Sequence, residues 1–174
     1  MEIIQMPLKD SFSTEQWTLV AQIPFLAGFA VTAADPGGLI GAVQESAAMA
    51  RVLQAKSSGA GAETLAGCIA AEIRTSGGRD AIRAGMKELI KGRKPAGASA
   101  EAIARLKDAL AVVTAATPGE LPAIKALVRE TAQGVAEAAK EGGFMGFGGE
   151  KISDSERRTL ADIDAVLAET GDPA

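Results

Sequence analysis

Apolar side chains recur every three to four positions along most of the chain, and this spacing predicts helices. Leu65, Ile69 and Ile73 stand four apart in a helix expected from Glu63 to Thr75. Ile82, Met86 and Leu89 line the inner side of the next, from Arg79 to Lys91. Ile103, Leu106, Leu110 and Val113 form one stripe on a helix expected to start at a Ser99 cap. Ile124, Leu127, Thr131 and Val135 face inward on the helix opened by "TPGELP". There Thr117 can cap with Glu120 at the third helical position, and Pro122 can delay the start to Leu121. A further helix fits Leu39 to about Lys56, and the last carries Leu160, Ile163 and Leu167 inward.

Two helix starts are written out locally. In "STEQW", Ser13 can accept from the third amide of the helix while Gln16 reaches back, and "SDSE" from Ser153 to Glu156 repeats the device. The helix that Ser13 opens runs to about Ala34 and is apolar all round, which predicts a central, buried position. Pro24 removes a backbone donor within it and should kink it. Residues 1–12 read as extended. The breakers "DPGG", "SSGAGA", "SGG", "GRKPAGAS" and "EGG" separate the elements. The expectation is an all-α chain: one domain over residues 1–174, a single compact bundle of about seven helices around a Pro-kinked apolar one.

Composition sharpens this. Alanine abounds while aromatics make up 3% of the chain, so strand formers are thin and helices can pack closely. The chain is long enough for a sizeable core. A formal net charge of −4 gives nucleic acid no global attraction. The uncharged run from Thr18 to Ala34 is short for a membrane span and holds Gln22 and Pro24, so a buried helix is preferred. The N-terminus lacks a secretory pattern and Cys68 is the sole cysteine; a cytoplasmic protein is expected.

Candidate chemistry is narrow. The chain has no histidine, which removes His-based triads, His metal sites and the usual base near neutral pH. Cys68 lies beside Leu65 and Ile69 and reads as a structural thiol. "GFGGEK" follows a helix and lacks the Gly-Lys-Ser/Thr of a phosphate loop. The same stretch places Phe144, Met145 and Phe147 among five glycines. These three form a candidate interaction loop, expected to bury at least two of its members in the core or a homodimer contact. Arg79, Arg83, Lys87 and Lys91 stand four apart, with Arg93 and Lys94 just beyond. They form either a solvated face or a site for anionic lipid or a phosphate backbone, with no aromatic interleaved for base stacking. Of the carboxylates, Asp35, Glu45 and a cluster of Glu150, Asp154 and Glu156 offer oxygen ligands. Such a set suits at most a hard divalent cation such as Ca, Mg or Mn, and helix capping explains Asp154 and Glu156 equally well.

"GGEKISDSERRTLADI" resembles the helix-start pattern of the TerB-like tellurite-resistance family, and "AADPGGLIGAVQE" is similar to a looser copy of it. The resemblance covers these two segments and implies an all-helical fold, metal-associated acidic residues and a stress-related role. By similarity Asp35, Glu45 and Glu156 carry over, while Gly148 or Gly149 stands where the family has Asp. As a whole the chain resembles small bacterial helical proteins. The functional expectation is a non-enzymatic binding or accessory protein with a protein partner or a second copy of itself. The alternatives are a peripheral protein on a membrane surface, using the Gly/Phe loop and the basic stripe, and a carboxylate–metal hydrolase.

Overall fold

The computed structural model describes residues 8–34, 42–56, 63–141 and 152–171. Eight α-helices follow in order: α1 (Thr14–Ala21), α2 (Ile23–Ala34), α3 (Ala42–Lys56), α4 (Leu65–Arg74), α5 (Ser76–Ile90), α6 (Pro95–Ala116), α7 (Leu121–Glu141) and α8 (Asp154–Glu169). Short 3₁₀ turns cover Leu8–Ser11 and Pro118–Glu120. No strand occurs among the described residues, and the fold is all-α.

Helix α2 occupies the middle because nothing on its surface needs water. It packs on α6, α7, α8 and α3, and buries Ile23, Leu26, Ala27, Ala30 and Val31 completely. Around it Leu65, Ile69, Leu89, Leu106, Leu110, Ile124, Leu127, Ile163 and Leu167 are also fully buried. Gly28 lets α2 approach α3 and α7, since a Cβ there would lie 2.6 Å from Met49 Cε and 3.3 Å from Val135 Cγ2.

Several boundaries differ from expectation. The first apolar helix is two helices, bent by 43° at Gln22, rather than one helix kinked at Pro24. The proline ring excludes the carbonyl four residues back, so the break falls upstream and Pro24 sits in the first turn of α2, where its missing donor is tolerated. At the break Gln22 N bonds Leu19 O (3.1 Å), and the α pattern resumes with Leu26 N to Gln22 O (2.9 Å). "SGG" is the first turn of α5, not a break; only Thr75 separates α4 from α5. Helix α6 starts at Pro95, four residues before the expected Ser99 cap. Ser99 is instead buried, and its Oγ donates to Ala30 O at 2.8 Å, tying α6 to α2. Leu8–Ser11 forms a 3₁₀ turn where extended chain was expected. Thr117 makes no side-chain cap, and α7 begins at Leu121.

Both capping boxes form. Ser13 Oγ accepts from Gln16 N while Gln16 Oε1 accepts from Ser13 N, and Ser153 and Glu156 reciprocate likewise at 3.1 and 2.7 Å. Helix α4 is capped by its neighbour Thr64, and also from afar: Glu120 Oε2 accepts from Leu65 N at 2.8 Å.

Candidate functional site

Helix α5 is amphipathic. Gly78, Ile82 and Leu89 are buried against α4, α1 and α6, and the opposite face is in solvent. On that face lie Arg79, Arg83, Lys87 and, at the C-cap, Lys91, as their spacing predicted. From Arg79 to Lys94 the chain carries six basic and two acidic side chains, a local net of +4. Since the whole chain has a formal net charge of −4, the remainder carries −8.

The basic side chains differ in how far they are committed. Arg79 Nη1 donates to Arg74 O at 2.6 Å and so helps close the end of α4. Arg83 pairs with Asp80 at 2.9 Å, and Lys91 with Glu88 at 3.6 Å, both pairs mostly exposed along one helix. Such pairs contribute about 0–1 kcal/mol and exchange readily for another anion. Arg93 is structural: its Nη1 donates to Leu89 O at 2.9 Å, and its Nη2 lies 3.5 Å from Glu101 of α6. Lys87 and Lys94 are exposed.

One apolar side chain belongs to this face. Ile90 is 49% exposed, the only large hydrophobic side chain so exposed among the described residues. It sits three residues after Lys87, which places it within the basic stripe. The helical pattern alone does not single it out, because it adjoins the core residue Leu89. Its angle on the helix, one turn beyond Lys87, is the signal that would have found it.

Of the carboxylate candidates the structure describes Asp154 and Glu156, both in the first turn of α8. Glu156 is buried and its carboxylate is used by the α8 capping box. Asp35 and the Glu45 side chain lie outside what the structure describes, as do Phe144, Met145 and Phe147. Among the described residues no group of three or more Cys, Asp or Glu is arranged to hold a metal ion.

Cys68 is partly buried, and burial first, then the charge of Glu120, raises its thiol above the usual range despite an opposing effect of Lys9. That is the reverse of an activated nucleophile. Nearby, Lys9 Nζ binds Glu72 at 2.6 Å and lies 5.3 Å from the Trp17 ring centre, while Phe12 packs on Trp17 at 5.9 Å. The bond from Lys9 is the main reason that the Glu72 carboxyl lies below its ordinary value. The Trp17 indole adds to this, although Nε1 is buried without a hydrogen bond of normal geometry.

No single described helix is long and apolar enough to cross a membrane; the bent pair α1–α2 reaches that length and composition, but its apolar side chains are largely in the core. Compared with protein-family models, curated proteins and solved structures, the chain matches none of them.

Proposed function

We propose that the protein is a non-enzymatic, cytoplasmic binding or accessory protein that docks through the outer face of α5 on an anionic surface. One observation carries this: the four regularly spaced cations all face solvent, and Ile90, the one exposed large apolar side chain among the described residues, stands among them. In this reading the eight helices form a single compact bundle over the whole chain, and its job is to hold that face rigid. The apolar anchor favours a lipid headgroup region over nucleic acid. Ile90 can enter the acyl boundary while the cations meet lipid phosphates, whereas no aromatic is present on the face to stack on a base. A TerB-like, stress-related role is compatible with such an accessory protein. Any metal in that role would rest on Asp35 and Glu45, since Glu156 is engaged.

Co-sedimentation with vesicles tests the proposal. Vesicles containing phosphatidylserine should retain the protein and pure phosphatidylcholine should not, with binding weakened by salt. Each basic residue near an anionic leaflet contributes about 1 kcal/mol, so Arg83→Glu with Lys87→Glu should reduce partitioning by more than about tenfold. Ile90→Ser should weaken binding while leaving salt dependence unchanged. Equal retention on both vesicle types, or by wild type and the double variant, would overturn it.

A further inference from the structure

A second feature lies elsewhere, where the end of α2 meets the starts of α6 and α8. A cleft of about 430 Å³ opens there, lined by Ala34, Ser99, Ile103, Arg158, Thr159 and Asp162. That volume lies within the range of small-molecule sites. Its floor is aliphatic and its polar groups converge from two helices.

Three of those groups are unspent. Thr159 is 6% exposed, and among the described residues its hydroxyl has no hydrogen-bond partner. A threonine in a helix ordinarily returns its hydroxyl to a carbonyl one turn back, as Thr18 and Thr114 do here, both at 2.8 Å. Unlike Thr131 Oγ1, the Thr159 hydroxyl oxygen is not sealed from solvent; it opens on the cleft, where a water or a ligand can pair with it. Arg158 and Asp162 lie one turn apart on α8 and line the same cleft, yet they form no ion pair, whereas Arg157 pairs with Asp154 at 2.8 Å. An arginine preceding an acid has the less favourable orientation for such a pair, which leaves both heads available. In addition, the start of α6 has no side-chain cap: Lys94 provides none, and Ala96 in its first turn lines the cleft. Its free amides carry the positive end of a helix of 22 residues.

We propose that this cleft binds a small zwitterion, a free α-amino acid with an aliphatic side chain. Its carboxylate lies between the Arg158 guanidinium and the first turn of α6, with the Thr159 hydroxyl donating to it. Its ammonium meets Asp162, and its side chain rests on Ile103, Ala34 and Ala100. A simple anion would be repelled by Asp162, and a simple cation by Arg158 and the α6 dipole. Only a ligand with both charges side by side satisfies the whole set.

The test is an amide-resolved NMR titration with L-leucine, and in parallel with acetate and with isobutylamine. L-leucine should give saturable shifts at Ala96, Gly97, Ser99 and Thr159, and the two half-ligands should bind at least about tenfold more weakly. Arg158→Gln changes an exposed side chain and should leave the remaining spectrum intact while weakening L-leucine about tenfold or more. Thr159→Val should weaken it too. No saturable shifts at millimolar L-leucine would overturn the proposal, as would acetate binding as well as L-leucine or unchanged affinity in Arg158→Gln.

Discussion

Adjacent glycines at the start of α5 should respond to alanine with opposite signs. At Gly78 a Cβ would lie 2.1 Å from the Glu72 carbonyl oxygen and 2.9 Å from Thr75 Oγ1. Real Cβ atoms essentially never approach within 3.0 Å, so one group must retreat by about 0.9 Å. The oxygen is backbone and already engaged. Thr75 N and Thr75 Oγ1 both donate to it, at 3.0 and 2.8 Å, and the same Oγ1 accepts from Gly78 N at 2.9 Å. Moving Gly78 away from Glu72 therefore stretches the cap of α5. Overpacking of this kind costs about 1–3 kcal/mol, and loss of a cap about 0.5–2 kcal/mol. Against these, alanine gains about 0.5–1 kcal/mol over glycine in a helix. Together these leave Gly78→Ala with a loss between about 0.5 and 4.5 kcal/mol, with a midpoint of about 2.5 kcal/mol. For a chain of this size that midpoint lowers the melting temperature by about 5–10 °C.

Gly77 is the internal control. A Cβ there meets nothing within 4 Å, so Gly77→Ala keeps only the helix gain and should stabilise by up to about 1 kcal/mol. Urea unfolding followed by circular dichroism at the helix band gives both values. The reasoning is refuted if Gly78→Ala unfolds at or above the wild-type midpoint, or if the two substitutions shift it equally.

Three other outcomes follow from single groups. Thr131 Oγ1 is wholly buried without a partner, so Thr131→Val should raise stability by about 1 kcal/mol in the same urea assay; a loss would mean that the hydroxyl is satisfied in solution. Removing the distant cap with Glu120→Ala should cost about 1 kcal/mol, and amide exchange should quicken first in the opening turn of α4, because only Leu65 N loses its acceptor. The depressed carboxyl of Glu72 makes a contribution that is present above its unfolded value of about 4.5 and lost as pH falls through the lower folded one. Melting curves of wild type and Glu72→Gln should thus differ near neutral pH and converge toward pH 3; a constant gap would assign the effect to packing on Trp17.

What could be read from the chain was what neighbours in sequence decide. Both capping boxes and the outward stripe on α5 are interactions between residues three or four apart, and they form as spelled out. Misreadings arose where a distant group intervenes. Ser99 has the chemistry of a cap but spends its hydroxyl on Ala30 O, 69 residues away, while Pro95 opens the helix by geometry alone. "SGG" looks like a break until the Glu72 carbonyl is seen to need a residue without a Cβ at Gly78. Gln22 reads as a polar intruder in a span. In the fold its side chain is 5% exposed, set where a Cβ on Gly85 would stand 2.5 Å from it. The α8 cleft was invisible for the same reason, since it exists only where three helix ends meet.

These distant contacts also bear on the proposed docking face, because they fix α5 without using its cations, Arg79 excepted, which donates to Arg74 O. At its start the Thr75 knuckle holds α5 against α4. At mid-length Gly85 closes on Gln22 at the α1–α2 bend, and Gly85 O accepts from Arg105 of α6 at 3.3 Å. At its end Arg93 binds the last carbonyls and Glu101, with Gly92 supplying the left-handed turn at φ 71°. Arg83, Lys87, Lys91 and Ile90 take no part in these fastenings. A face preorganised in this way loses little conformational entropy on docking beyond that of its own side chains. Charge reversal at Arg83 and Lys87 should accordingly leave the urea midpoint within about 0.5 kcal/mol of wild type while vesicle binding falls. A large loss of stability in that variant would instead make the stripe part of the scaffold, and the docking reading would fail with it.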